Sequence, residues 1–191
     1  MRIRSVKFLK SATVPQSFDC KKEIALVGRS NVGKSSLINY VTNRKIAKES
    51  SSPGRTRLLN YFEINDGEFL LVDLPGYGYS VAGKEQSEGW GKMIEGYLLN
   101  NPNLKNLLFL VDIRLEPSEK DLMLMQFMVY YNIPFTVVAT KSDKLSRAQQ
   151  QISKQKIATK LKIGIDNIYV VSSTKRVGAE QLLDRIEQFL E

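Results

Sequence analysis

Gly28-Arg29-Ser30-Asn31-Val32-Gly33-Lys34-Ser35 is a complete G-x-x-x-x-G-K-[ST] loop, and its flanks decide the fold. The run before it, Ile24-Ala25-Leu26-Val27, is apolar and strand-like, and Leu37, Ile38 and Val41 recur behind it at helical spacing, so the loop joins a strand to a helix. Phosphate chemistry needs that context. Gly28 and Gly33 let the backbone turn tightly and aim its N–H groups at phosphate oxygens, and the helix start adds the positive end of its dipole. Lys34 reaches the β- and γ-phosphates and the Ser35 hydroxyl is placed for Mg²⁺. Arg29, Ser30, Asn31 and Val32 fill the loop, and Ser36 follows it as the last candidate phosphate contact.

Many nucleotide-binding proteins share such a loop, so the base and the reaction must be read elsewhere. Phe69-Leu70-Leu71-Val72 is a buried-strand run ending in Asp73-Leu74-Pro75-Gly76. A carboxylate at that strand tip can hold Mg²⁺ through water while the Gly76 N–H faces a γ-phosphate. Phe135-Thr136-Val137-Val138-Ala139 is a further strand, followed by Thr140-Lys141-Ser142-Asp143. Asp143 offers acceptors to the N1–H and exocyclic amine of guanine, where adenine presents the opposite pattern, and Lys141 offers a stem to lie over the ring. Ile168-Tyr169-Val170-Val171 leads into Ser172-Ser173-Thr174-Lys175, whose backbone N–H groups are candidate partners for the guanine carbonyl.

In order and spacing these segments resemble the signature motifs of the small GTP-binding domain, over about Glu23 to Phe189. The remaining member is Thr56 within Pro53-Gly54-Arg55-Thr56, where such proteins keep a switch threonine that completes the Mg²⁺ shell. Thr140 stands where asparagine is usual, and the expectation is that an amide bracing the phosphate loop is lost. The quoted motifs, with Val111-Asp112-Ile113-Arg114 and Asp73-Leu74-Pro75-Gly76-Tyr77-Gly78, are more closely similar to the EngB (YihA or YsxC) family of bacterial ribosome-biogenesis GTPases. That resemblance implies binding of GTP and GDP, and action on late intermediates of the large ribosomal subunit through rRNA and ribosomal proteins.

The alternation of strands and helices predicts an α/β fold, a mostly parallel six-stranded sheet with helices on both faces and the nucleotide at the carboxyl ends of the strands. The resemblance makes it the three-layer, Ras-like P-loop domain. Asn65-Asp66-Gly67 is a hairpin signal that turns one strand antiparallel. Trp90, Met93, Ile94, Tyr97 and Leu98 form a helical core stripe, Ser118 with Asp121 opens a helix as a capping pair, and Leu182, Leu183, Ile186, Phe189 and Leu190 mark a closing helix. With 191 residues the chain suits one domain, 23–191, with 1–22 as its amino-terminal arm.

Net charge of +8 and a sequence pI near 9.5 favour a polyanionic partner such as RNA. Lys154, Lys156, Lys160 and Lys162 with Arg147 crowd one predicted helix, and Arg44, Lys45, Lys48, Arg55 and Arg57 crowd the first switch. Lys7, Lys10, Lys175 and Arg176 extend the candidate surface. No apolar run approaches a bilayer span and the start has no signal-peptide core; Cys20 is the one cysteine, which fits a reducing compartment. The reading is a monomer of the bacterial cytoplasm with no membrane partner. There is no histidine, which excludes histidine-based hydrolysis.

Tyr77 follows Gly76 where signalling GTPases carry a water-orienting glutamine, so intrinsic turnover is expected to be slow. Asn31 has two readings, a loop-stabilising amide or a ligand for K⁺ beside the phosphates, and Arg55, Arg57 and Arg114 are candidate arginine fingers. The competing class is a signalling or trafficking GTPase with protein partners, yet neither end carries a lipidation signal. A scaffold that uses GTP for stability alone is the third.

Overall fold

The computed structural model describes residues 1–18, 21–48, 58–78 and 84–191, with backbone alone at 84–88 and 90. Cys20, the switch segment Pro53, Gly54, Arg55, Thr56, with Arg57, and the Trp90 side chain lie outside the described residues.

The chain runs β1 (Val6–Ala12), β2 (Glu23–Gly28), α1 (Lys34–Thr42), β3 (Leu59–Ile64), β4 (Phe69–Asp73), α2 (Lys84–Leu99), β5 (Leu104–Asp112), α3 (Glu119–Tyr130), β6 (Phe135–Thr140), α4 (Arg147–Leu161), β7 (Ile168–Val170) and α5 (Ala179–Leu190). One sheet has the order β1-β3-β4-β2-β5-β6-β7. β3 pairs antiparallel with both β1 and β4, and every other pair is parallel, so β3 is the single reversed strand. The Asn65-Asp66-Gly67 turn makes that reversal with φ of 50°, 56° and 102°, backbone that Asn, Asp and Gly tolerate best.

The sheet has seven strands rather than six, because the amino-terminal arm contributes β1. Its signal is weak for a physical reason. An edge strand leaves most side chains exposed, and a bulge between Phe8 and Lys10 shifts its register on β3, so apolar residues cannot alternate with period two.

Central strands are buried on both faces, and β2 is buried at all six positions, as expected of parallel strands covered by helices. Ile94, Tyr97 and Leu98 of α2, Leu124, Met125 and Met128 of α3, and Ile157, Ala158 and Leu161 of α4 fill one side. Leu37, Ile38 and Tyr40 of α1 with Leu182 and Ile186 of α5 fill the other. The predicted capping pair forms, Ser118 accepting from the Asp121 N–H and Asp121 from the Ser118 N–H. No helix among the described residues is long and apolar enough to cross a membrane. The strand tips Gly28, Asp73, Asp112 and Thr140 share the carboxyl edge of the sheet, and the chemistry collects there.

Candidate functional site

The phosphate loop leaves β2 at Gly28 and enters α1 at Lys34. Gly28 is fixed by crowding: a Cβ there would lie 2.8 Å from the Leu110 carbonyl oxygen and 2.9 Å from Val32 Cγ1. Asn31 and Gly33 take left-handed backbone, with φ of 61° and 112°, which turns the loop back around the space before α1. The first turn of α1 carries no acidic residue, so its N-terminal dipole is open to an anion.

The segment after β4 lies directly on this loop. A Cβ on Gly76 would come 3.0 Å from both N and Cα of Ser30 and 3.1 Å from Lys34 Nζ. The Ser30 N–H donates to the Tyr77 carbonyl at 2.8 Å and the Tyr77 N–H to the Gly28 carbonyl at 3.2 Å. Asp73 Oδ1 stands 3.9 Å from Lys34 Nζ, inside ion-pair range but too far for a hydrogen bond, and it is buried with no hydrogen-bond partner among the described residues. Burial raises its carboxyl above the ordinary range, opposed by Lys34. A buried, unbonded carboxylate oxygen calls for a missing partner. With the Ser35 hydroxyl in the first turn of α1, the donors are hard oxygens, and no group of three acidic or other metal-ligating side chains occurs among the described residues. That set fits Mg²⁺, which keeps waters and phosphate oxygens around one or two protein ligands.

On the base side, Thr140 Oγ1 donates to the Val32 carbonyl at 2.7 Å and lies 3.1 Å from that of Val111. This corrects the expectation that Thr140 forfeits a brace on the phosphate loop: a hydroxyl at the end of β6 supplies it. Lys141, with φ 62°, donates from Nζ to the Asn31 carbonyl at 2.7 Å and pairs with Asp112 Oδ2 at 3.0 Å. Consecutive residues of the base motif thus hold consecutive carbonyls of the phosphate loop.

Asp143 accepts from the Ser172 hydroxyl at 2.7 Å and pairs with Lys144 at 3.4 Å. The Ser172 bond, more than the lysine, holds its carboxyl below the usual value. The Ser172 hydroxyl in turn accepts from the Lys175 N–H at 3.0 Å. Its own N–H is spent on the Val177 carbonyl at 3.0 Å, which removes it as a donor to a guanine carbonyl. The N–H groups of Ser173 and Thr174 make no hydrogen bond within the described residues. Arg176 closes the loop, bonding Asn43 Oδ1 at 3.0 Å and lying 5.2 Å over the Tyr40 ring.

The side chains of Tyr77, at the glutamine position, and of Arg114, a candidate finger, both hold partners outside the phosphate loop. Tyr77 is buried, and its hydroxyl donates to Asp121 Oδ1 at 2.5 Å, so the ring points beneath α3 rather than standing where a glutamine would orient water. Arg114 chelates Asp112, Nε to Oδ1 at 2.9 Å and a terminal nitrogen to Oδ2 at 2.7 Å, which takes it out of the pool of free fingers. Asp112, to which the sequence motifs assign no role, has as its local signal a carboxylate at the tip of a buried strand with Arg two residues on.

Residues 23–141 match the family model described as 50S ribosome-binding GTPase. The chain is 48% identical, over 98% of its length and 91% of the relative, to the probable GTP-binding protein EngB of Alkaliphilus metalliredigens. It belongs to the EngB family of GTP-binding proteins. An EngB of Clostridium botulinum (strain Alaska E43 / Type E3) is 46% identical over 100% of this chain and 97% of its own. Among solved structures, a probable GTP-binding protein EngB superimposes with TM-score 0.74 and 27% identity, covering 88% of this chain and 98% of that one. Era in complex with MgGDPNP and nucleotides 1506–1542 of 16S ribosomal RNA gives TM-score 0.66 and 25% identity over 88% of this chain and 56% of that one.

As an EngB-family GTPase the protein takes GTP as ligand and hydrolyses it to GDP and phosphate. The bonds from Thr140 to the Val32 carbonyl and from Lys141 to the Asn31 carbonyl join the end of β6 to the loop between β2 and α1.

Proposed function

We propose that this GTPase is a nucleotide switch in late assembly of the large (50S) ribosomal subunit, docking on rRNA and ribosomal proteins of its intermediates when GTP is bound. The observation that carries the reading is the contact of the Gly76-Tyr77 segment with the phosphate loop, two backbone bonds and an approach at Gly76 that leaves a Cβ only 3.0 Å from the Ser30 backbone. A γ-phosphate added beside Lys34 must be felt by that segment at once, and Thr56 of the first switch would be drawn to the same Mg²⁺. The partner is argued from the matching 50S ribosome-binding GTPase model, from a charge of +8, and from the rRNA held by Era. α4 adds Arg147, Lys154, Lys156 and Lys160 with no acidic residue in its sequence.

Gly28, Arg29, Ser30, Asn31, Val32, Gly33, Lys34, Ser35 and Ser36 bind the phosphates. Ser35 and Thr56 ligate Mg²⁺ directly and Asp73 through water. Lys141 and Asp143 recognise guanine with the Ser173 and Thr174 amides. The Asn31 carbonyl is occupied by Lys141, so a K⁺ ion near the phosphates would use its side chain. Residues 1–22 are an arm of the single domain 23–191, joined to it through the β1–β3 pairing. The protein acts as a monomer in the bacterial cytoplasm, where ribosomes assemble.

Co-sedimentation with purified large and small subunits, with a GTP analogue and with GDP, tests this. Selective, salt-sensitive binding to large subunits in the GTP state supports it; binding indifferent to subunit, nucleotide and salt overturns it.

A further inference from the structure

Asp112 ends β5, and β5 lies between β2, which delivers the phosphate loop, and β6, which delivers the base motif. Its side chain is 9% exposed. Oδ1 accepts from the backbone N–H and Nε of Arg114 at 3.1 and 2.9 Å. Oδ2 accepts from an Arg114 terminal nitrogen at 2.7 Å and pairs with Lys141 Nζ at 3.0 Å. Lys141 Nζ reaches on to the Asn31 carbonyl at 2.7 Å. The residue next to Asp112 is fixed by the same strand, the Ile113 N–H donating to the Thr140 carbonyl at 3.1 Å.

We propose that Asp112 is a positioning residue for guanine nucleotide binding, oriented by Arg114, which holds the Lys141 ammonium on the phosphate loop so that the lysine stem is preset beneath the base. A lysine has four rotatable bonds, and freezing them on ligand binding would cost affinity. Asp112 freezes them beforehand. The carboxylate alone would set a negative charge near the phosphates, but with Arg114 and Lys141 the trio carries one net positive charge, which an anionic ligand favours. Arg114 does more than neutralise: its planar fork fixes the plane of the carboxylate, leaving Oδ2 aimed at Lys141. The inference stands apart from the choice of ribosomal partner, since it concerns nucleotide affinity in the free protein.

The test is the dissociation rate of a fluorescent GDP, in Asp112→Asn, Lys141→Ala and the double variant, with thermal melts of each. Asp112→Asn is expected to speed release about tenfold, the weight of one charge-assisted hydrogen bond, while guanine remains preferred over adenine because Asp143 is untouched. In the Lys141→Ala background the same substitution is expected to change the rate less than about twofold, and Arg114→Ala to give a smaller version of the Asp112→Asn effect. Release unchanged in Asp112→Asn overturns the proposal. So does an effect that persists in full without Lys141, which would mark Asp112 as a merely structural residue.

Discussion

Tyr77 and Asp121 are joined inside the protein: the phenol donates to Oδ1 at 2.5 Å, while Oδ2 of the same carboxylate accepts from the Ser118 N–H and hydroxyl, both at 2.7 Å. The residue after Gly76 is thereby tied to the first turn of α3, and its carbonyl to the phosphate loop. Burial, reinforced by Asp121, pushes the phenol far above its ordinary range, so it stays a neutral donor.

Tyr77→Phe therefore leaves a buried carboxylate oxygen one donor short. The expected loss is about 1–3 kcal/mol, a fall in Tm of roughly 2–4 °C per kcal/mol at this chain length, with intrinsic GTP hydrolysis little changed. Thermal melts and single-turnover hydrolysis check both halves. A tenfold or greater drop in rate would mean that the hydroxyl leaves Asp121 to work at the γ-phosphate.

Asp143→Asn is expected to weaken GTP and GDP binding by about a hundredfold or more, two charge-assisted bonds being lost, and to shift preference toward xanthosine nucleotides. The pH response has a definite sign. In the proposed recognition the carboxylate is the acceptor, and its pKa is lowered from 3.8, chiefly by Ser172, so affinity is expected to be retained as pH falls to that ordinary value and to fail only below it. Ser172→Ala removes the main cause, and its acid limb should move to higher pH in fluorescence titrations. An unmoved limb would show that Ser172 does not act through Asp143.

Asp73→Asn separates metal from nucleotide. Removing a negative charge near the phosphates should preserve or raise affinity for GTP measured in a chelator, while the gain on adding Mg²⁺ disappears. Titration of a fluorescent GTP analogue with and without Mg²⁺ reads both, and a variant that keeps the whole Mg²⁺ gain would remove Asp73 from the metal site.

Much of this was legible from the chain because its signals are local. The phosphate loop, the hairpin at Asn65-Asp66-Gly67 and the capping pair Ser118 and Asp121 each need a few residues in a row, and each has the backbone its residue types prefer. The misses are relations between distant segments. β1 is recognised only by its partner β3, since an exposed, bulged edge strand shows no alternation. Thr140 reads as the loss of an amide until its hydroxyl is seen 2.7 Å from the Val32 carbonyl. Ser172 stands at a strand end where a backbone N–H is expected to be open for direct contact, but the turn back to Val177 occupies it. That Tyr77 does not take a glutamine's part was legible, but its ring's direction was not, being set by the pocket beneath α3 that receives it.

The central claim, that GTP and the large subunit select the same state, is tested most directly through reciprocity. If the subunit binds the GTP form more tightly by some factor, then saturating subunits must tighten GTP-analogue binding by that same factor. Measured by competition against a fluorescent nucleotide, large subunits are predicted to raise affinity for the analogue by about tenfold or more and to leave GDP affinity unchanged or lower. Equal affinities for both nucleotides with and without subunits, or a preferential tightening of GDP, would contradict the account.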